Sequence, residues 1–85
     1  RVLRDIVQIQ VVKLVAPSNT LSLSQLEQLL GERSKKIRQF IVEQGPVKDT
    51  ETVTIEFRGV TRVVADQMIK EILGVTGVRE VLAPH

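Results

Sequence analysis

The sequence predicts an α+β domain with the element order β-α-β-β-α-β, and its second half gives the clearest evidence. The run from Glu51 to Phe57 alternates polar and apolar residues, which is typical of a strand with one buried face. Beyond Gly59, apolar residues recur at helical spacing, and the run from Val78 to Leu82 is typical of a second short strand. A strand, a helix and a strand within about thirty residues form a β-α-β unit.

Length and composition indicate a single small domain, 1–85, with an aliphatic core. Only 2% of the residues are aromatic while 42% are hydrophobic, so Val, Ile and Leu must fill the core, and they favour sheets. The net charge of +2 is too small to imply a nucleic-acid or membrane partner by itself. Without cysteine there is no disulfide and no thiolate metal site. Because the chain begins at Arg1 rather than Met, we expect it to be a domain excised from a longer chain.

The first strand ends near Val15, and its apolar residues occupy both faces. We predict that one set faces the helices and that the other faces away from them. The inward set is Val7, Ile9, Val11 and Val15; the outward set is Val12 and Leu14. Lys13 is the exception on the inward face.

The first helix follows a loop from Ala16 to Thr20. Ser22 and Gln25 have the spacing of a capping box, in which each side chain satisfies a free backbone N–H of the other residue. The helix then carries Leu23, Leu26, Leu29 and Leu30 on one side.

The segment from Ile37 to Gln44 fits either a strand or an extension of the helix. We predict a strand, because its β-branched and aromatic residues favour sheets and because 45–50 makes a suitable hairpin loop. The second helix should begin at Thr61 as N-cap and end at Gly74. The resulting plan is ferredoxin-like, a four-stranded antiparallel sheet with two helices on one face.

The run from Gly59 to Arg62, continued by 72–81 with its Gly-Val-Thr-Gly-Val entry into a strand, resembles the closing helix and strand of ACT-like domains. In layout the whole chain resembles the cytoplasmic C-terminal domain of MgtC/SapB-family membrane proteins. The resemblance implies a bacterial regulatory domain, attached to a membrane domain upstream and tethered at the inner membrane. The loop 16–20 has no acidic residue and no glycine, so the amino-acid binding of many ACT domains is not expected.

The sequence offers no set of residues for catalysis, a metal or a cofactor. Residues 59–65 are also similar to the metal-binding loop of heavy-metal-associated domains, but Arg62 and Ala65 stand where that loop has thiolates. His85 is the single histidine and lies at the terminus, so neither Ser22 nor Ser24 has a predicted base. We therefore expect a non-enzymatic domain without a cofactor or a metal.

Two surfaces are candidates for binding. The first is the sheet face away from the helices, where we predict an apolar patch that associates weakly with a second copy or with a flanking segment. The second, an alternative, is a basic cluster that would bind phosphates of nucleic acid or of an anionic surface. Scarce aromatics, which leave few partners for base stacking, do not favour nucleic acid. The patch is Val12, Leu14, Phe40 and Val42; the cluster is Arg33, Lys35, Lys36 and Arg38.

Overall fold

A computed structural model describes residues 8–81. The predictions for Val7, Leu82 and His85 therefore lie outside the described residues. The structure contains four strands, two α-helices and one 3₁₀ helix. In chain order these are β1 (Gln8–Pro17), α1 (Leu23–Leu30), a 3₁₀ helix (Gly31–Lys36), β2 (Ile37–Gln44), β3 (Thr50–Val60), α2 (Arg62–Leu73) and β4 (Arg79–Glu80).

The sheet has the strand order β2-β3-β1-β4, and every neighbouring pair is antiparallel. Both β3 and β4 run antiparallel to β1, which lies between them. The two strands of the second β-α-β unit are therefore parallel to each other and separated by β1. This order is that of the ferredoxin-like fold. The predicted fold class is confirmed, and so is the strand at 37–44.

Local signals in the sequence explain where the helices begin and end. The Ser22 hydroxyl accepts from the Gln25 N–H at 3.1 Å, and the Thr61 hydroxyl accepts from the Val64 N–H at 3.3 Å. Each bond satisfies one of the free N–H groups in a first helical turn. Gly31, at φ 64°, ends α1, because a left-handed backbone cannot continue the helix. Gly74 caps α2 as predicted.

The core lies between the helices and one face of the sheet. Its buried side chains come from β1, β3, both helices and the loops beside them. They are Val12, Leu14, Ala16, Leu21, Leu26, Leu30, Val53, Ile55, Phe57, Val60, Ala65, Met68, Ile72 and Val78. The predicted inward residues of β3 are thus confirmed.

The predicted faces of β1 are wrong. Leu14 is fully buried opposite Val53, and Val12 is buried opposite Ile55, whereas Val11 is 61% exposed. Directly paired residues of an antiparallel sheet share a face, so pairing with the buried residues of β3 fixes the faces of β1. Lys13 is consequently no exception, because it lies on the face open to solvent.

The predicted faces of β2 are wrong for the same reason. Phe40 pairs with Ile55 and Val42 with Val53, which places both on the helix side of the sheet. Phe40 is half-buried against the core, while Ile41, predicted to point inward, is 43% exposed on the opposite face. The patch of Val12, Leu14, Phe40 and Val42 on the open face therefore does not exist.

Two β-bulges distort the same end of the sheet. The pairs Ile37↔Phe57 and Gln39↔Glu56 leave Arg38 as an extra residue in β2. The pairs Gln8↔Val60 and Gln10↔Phe57 leave one extra residue in β3, at Arg58 or at Gly59, whose φ is +78°. Bulges bend a strand and redirect its side chains, and the positive φ explains why a glycine lies here.

None of the helices within residues 8–81 has the length and hydrophobicity needed to cross a bilayer.

Candidate interaction surfaces

Among the residues that the structure describes, four exposed apolar side chains lie on the sheet face away from the helices, here called the open face. Val11 and Ile9 lie on β1, Ile41 on β2 and Val81 directly after β4. Their exposed fractions are 61% for Val11, 54% for Ile9, 43% for Ile41 and 37% for Val81. The open face is therefore apolar, but through residues other than those predicted.

The register places these side chains in continuous rows. Ile41 pairs with Thr54, Thr54 pairs with Lys13, and the Val81 N–H donates to the Lys13 carbonyl at 2.8 Å. In the next row, Val11 pairs with Glu56. Together the four apolar side chains expose roughly 300 Å², which is at the lower end of the size of contact patches, although polar side chains interrupt this apolar surface.

Charged and hydroxyl side chains surround and separate the apolar ones on the open face. Lys13 and Thr54 lie between Ile41 and Val81, and Glu56 lies beside Val11. Such a mixture is typical of reversible protein–protein contacts, which are about as apolar as the rest of a protein surface.

The predicted basic cluster is divided by the structure. The Arg33 guanidinium forms two hydrogen bonds with the Glu71 carboxylate, at 2.6 and 2.7 Å, and its Nε donates to the Leu30 carbonyl at 3.2 Å. These bonds fasten the 3₁₀ helix to α2. These bonds engage three of the five N–H donors of Arg33, so this residue contributes to the fold as well as to the charge of the cluster.

The Arg33–Glu71 pair shifts the ionisation of both groups in the directions expected for a bidentate ion pair. The hydrogen bonds from Arg33 lower the pKa of Glu71 below its ordinary value of 4.5. Those same bonds raise the pKa of Arg33. Both side chains remain more than one-third exposed, at 39% for Arg33 and 38% for Glu71, so solvent screens their attraction.

The remaining cations of the cluster line a shallow groove with one further arginine. This groove, here called the cationic groove, is lined by Lys35, Lys36, Ile37, Arg38 and Arg58. Arg38 and Arg58 lie at the two bulges, which explains how residues from different strands reach one groove. Arg58 is absent from the predicted basic cluster, because only the β2–β3 pairing brings it beside Arg38.

Carboxylates next to the cationic groove neutralise part of its charge. Lys35 Nζ lies 3.0 Å from Glu32 Oε1, and Arg38 Nε lies 3.9 Å from Glu56 Oε2. Lys36 and Arg58 form no ion pair with another of the described residues. The groove thus has a positive centre and mixed-charge margins.

Within residues 8–81, no three His, Cys, Asp or Glu residues cluster closely enough to bind an ion. In the loop that is similar to the metal-binding loop of heavy-metal-associated domains, Arg62 is the first residue of α2, and its Nε lies 3.9 Å from Oδ2 of Asp66. Ala65 is buried in the core.

Comparison with known proteins supports the fold and is silent on activity. The chain resembles a solved structure, that of the uncharacterized protein TM1266 from Thermotoga maritima, with a TM-score of 0.68. The two share 13% sequence identity over 93% of this chain and 98% of the other, so the likeness shows the fold alone. No protein-family model and no curated protein matches the chain.

Proposed function

We propose that this is a non-enzymatic regulatory or interaction domain that associates with a second copy of itself through the open face. The observation that carries the proposal is the exposure of Ile9, Val11, Ile41 and Val81 on one side of a sheet whose other side is covered. We propose further that the domain belongs to an MgtC/SapB-type membrane protein as its cytoplasmic C-terminal part. The layout of helices and glycines supports that assignment.

A second copy suits the open face in size and in charge. The strands β1, β2, β3 and β4 span 10, 8, 11 and 2 residues, and with about 3.3 Å per residue and about 4.8 Å between strands they give a face of about 500 Å². Two such faces bury about 1,000 Å² in total, which is the range of weak and transient complexes. Lys13 and Glu56 both lie on this face, so a copy turned over onto it offers each charge an opposite partner.

The apolar contribution to association and the cost of association are of similar size. Burying roughly 300 Å² of apolar surface on each copy, at about 25 cal/mol per Å², contributes about 15 kcal/mol. Lost rigid-body freedom costs about 4–15 kcal/mol, and ordering side chains costs more. We therefore expect a reversible dimer whose population rises with concentration, as suits a regulatory domain.

A charge placed at the centre of the open face tests this proposal. We expect Val11→Glu to abolish concentration-dependent association in sedimentation velocity, because the carboxylate would be buried in the contact without a partner. Val63→Glu is the matched control, since Val63 is 67% exposed on α2, away from the open face. Association that survives Val11→Glu with unchanged affinity would refute the open face as the contact.

The attachment to a membrane domain has a separate test. The gene sequence upstream of the codon for Arg1 should encode several hydrophobic segments, each of about twenty residues. An upstream soluble enzyme would contradict the MgtC/SapB assignment and leave association through the open face intact.

A second candidate function is binding to an anionic surface, and the cationic groove favours it. A binding groove lined by Lys36, Arg38 and Arg58 would release counterions from phosphates, so affinity would fall steeply with salt. We expect changing these three residues to Gln to abolish binding to vesicles that contain phosphatidylserine. Changing Lys48, Arg62 and Lys70 to Gln removes the same charge elsewhere and should have little effect. Equal losses of vesicle binding in the two variants would show that the net charge of the domain, and not the groove, causes the binding.

A further inference from the structure

The strand β2 forms an exposed edge of the sheet. It lies at the end of the strand order, spans eight residues and contains neither glycine nor proline. An edge of this kind presents a row of unpaired backbone groups that can bind another strand. Because β4 spans only two residues, β2 is the longer of the two edges in the part of the chain that the structure describes.

The hairpin fixes which backbone groups of β2 point outward. The Gly45 N–H donates to the Thr50 carbonyl at 2.9 Å, so the backbone of Gly45 faces β3. The direction of N–H and C=O alternates along a strand, so Ile41 also faces β3. The N–H and C=O groups of Phe40 and Val42 therefore point away from the sheet.

We infer that β2 pairs with β2 of a second copy, antiparallel, about a two-fold axis at Ile41. In this register Phe40 of each copy lies opposite Val42 of the other, and these are the residues whose backbone groups point outward. Ile41 meets Ile41, and Gln39 meets Glu43. Over residues 39–43, each apolar side chain thus faces an apolar one, and each polar side chain faces a polar one.

Other registers lose this match. Sliding one strand by two residues places Ile41 opposite Gln39 in one direction and opposite Glu43 in the other. Sliding it by one residue would place residues that point toward the helices opposite residues that point toward the open face. Directly opposite residues must share a face, so this register is excluded. The pairing about Ile41 is therefore the self-complementary one, and a second copy of this chain is its partner.

This contact goes beyond the proposed function, because it uses the edge of the sheet rather than its open face. Pairing at the edge joins the two four-stranded sheets into one continuous sheet with all helices on the same side. The two open faces become neighbours, so edge pairing and face packing are compatible within one assembly.

Cysteine cross-linking tests the register, since the natural chain contains no cysteine. Ile41 would form a non-hydrogen-bonded pair with its symmetry mate, with Cα atoms about 4.5 Å apart, which is within the range that a disulfide bridges. We expect Ile41→Cys to form an intermolecular disulfide under mild oxidation at least about tenfold faster than Val11→Cys, the control on the open face. Rapid cross-linking of Val11→Cys with none at Ile41→Cys would overturn edge pairing and support face packing.

A second variant separates the edge from the face. Val42→Pro removes an N–H that points away from β3, so the β2–β3 ladder should persist while pairing with a second copy is blocked. In the double variant Ile41→Cys, Val42→Pro, we expect the disulfide to be lost. A disulfide that still forms would overturn the proposal.

A mixing experiment removes any dependence on the proline variant. The residues involved, Gln39 and Glu43, are exposed, so cysteines there should leave the fold intact. We expect Gln39→Cys and Glu43→Cys chains to form an intermolecular disulfide when mixed, and neither chain to form one alone. Equal cross-linking in the mixed and single samples would overturn the register about Ile41.

Discussion

At the scale of single residues, Arg33 and Glu71 show how position in the fold changes what a charge does. In the sequence, Arg33 is one of four cations within six residues. In the structure it forms a bidentate pair with Glu71, thirty-eight positions away, and also bonds the end of α1. A planar guanidinium suits this role because it donates two parallel hydrogen bonds, which a lysine cannot do.

The lowered pKa of Glu71 predicts how its contribution to stability depends on pH. A carboxylate whose folded pKa lies below its unfolded value stabilises the fold above the unfolded pKa, and that contribution is lost as the pH falls through the folded pKa. We expect Glu71→Gln to lower the free energy of unfolding at pH 7, and the deficit relative to wild type to shrink as the pH falls below about 4.5. Urea unfolding at several pH values measures this, with Glu27→Gln as the exposed control on α1. A deficit that is constant from pH 7 to strongly acidic pH would contradict the role given to the ion pair.

At the scale of elements, β1 is the strand whose role depends most on its neighbours. Both of its faces are rich in β-branched or aliphatic residues, so alternation alone gives two equivalent orientations. Its central place between β3 and β4 decides between them, because Val12 and Leu14 then lie opposite the buried Ile55 and Val53. Lys13 agrees with this orientation, since a charge is tolerated on the open face and not in the core.

Truncation along β1 tests these faces. We expect Leu14→Ala to lower the free energy of unfolding by about 2–5 kcal/mol, because it removes a fully buried side chain and leaves a cavity. Val11→Ala, on the opposite face, should cost less than about 1 kcal/mol, because Val11 is mostly exposed. Chemical denaturation of both variants provides the comparison, and a larger loss for Val11→Ala would reverse the assignment of faces.

At the scale of the whole molecule, the fold has three neighbouring surfaces. The helices cover one side of the sheet, the open face lies on the other, and the cationic groove lies at the end where the two bulges occur. Edge pairing through β2 would leave the centre of the open face accessible. Glu56 links the two surfaces, because it lies on the open face and also pairs with Arg38 of the cationic groove, so we expect self-association and anion binding to influence each other.

Salt should distinguish the surfaces. Association through the apolar open face should change by less than about threefold between 50 and 500 mM NaCl, since the apolar contribution is not electrostatic. Binding of anionic vesicles through the cationic groove should fall by at least about tenfold over the same range. Sedimentation and vesicle flotation on the same preparation give both curves. Association that weakens as steeply as vesicle binding would indicate that charges, rather than the open face, hold the copies together.

The sequence by itself determined the order of the strands and α-helices, the starts of both helices and the end of α2. Ser22, Thr61 and Gly74 act locally, through bonds to residues within four positions of them, so their effect can be read without the fold. The alternation in β3 was also readable, because one of its faces is polar.

Only the tertiary structure decided which side of β1 and β2 is buried and which cations remain free. Val11 and Val12 are equally suited to a core, and only pairing with β3 shows that Val12 is the buried one. Likewise, Arg33 of the predicted basic cluster pairs with Glu71. Arg58, which the prediction did not include, lines the cationic groove because of the β2–β3 pairing. Both outcomes depend on contacts between residues far apart in sequence, and the spacing of residue types along the chain does not encode such contacts.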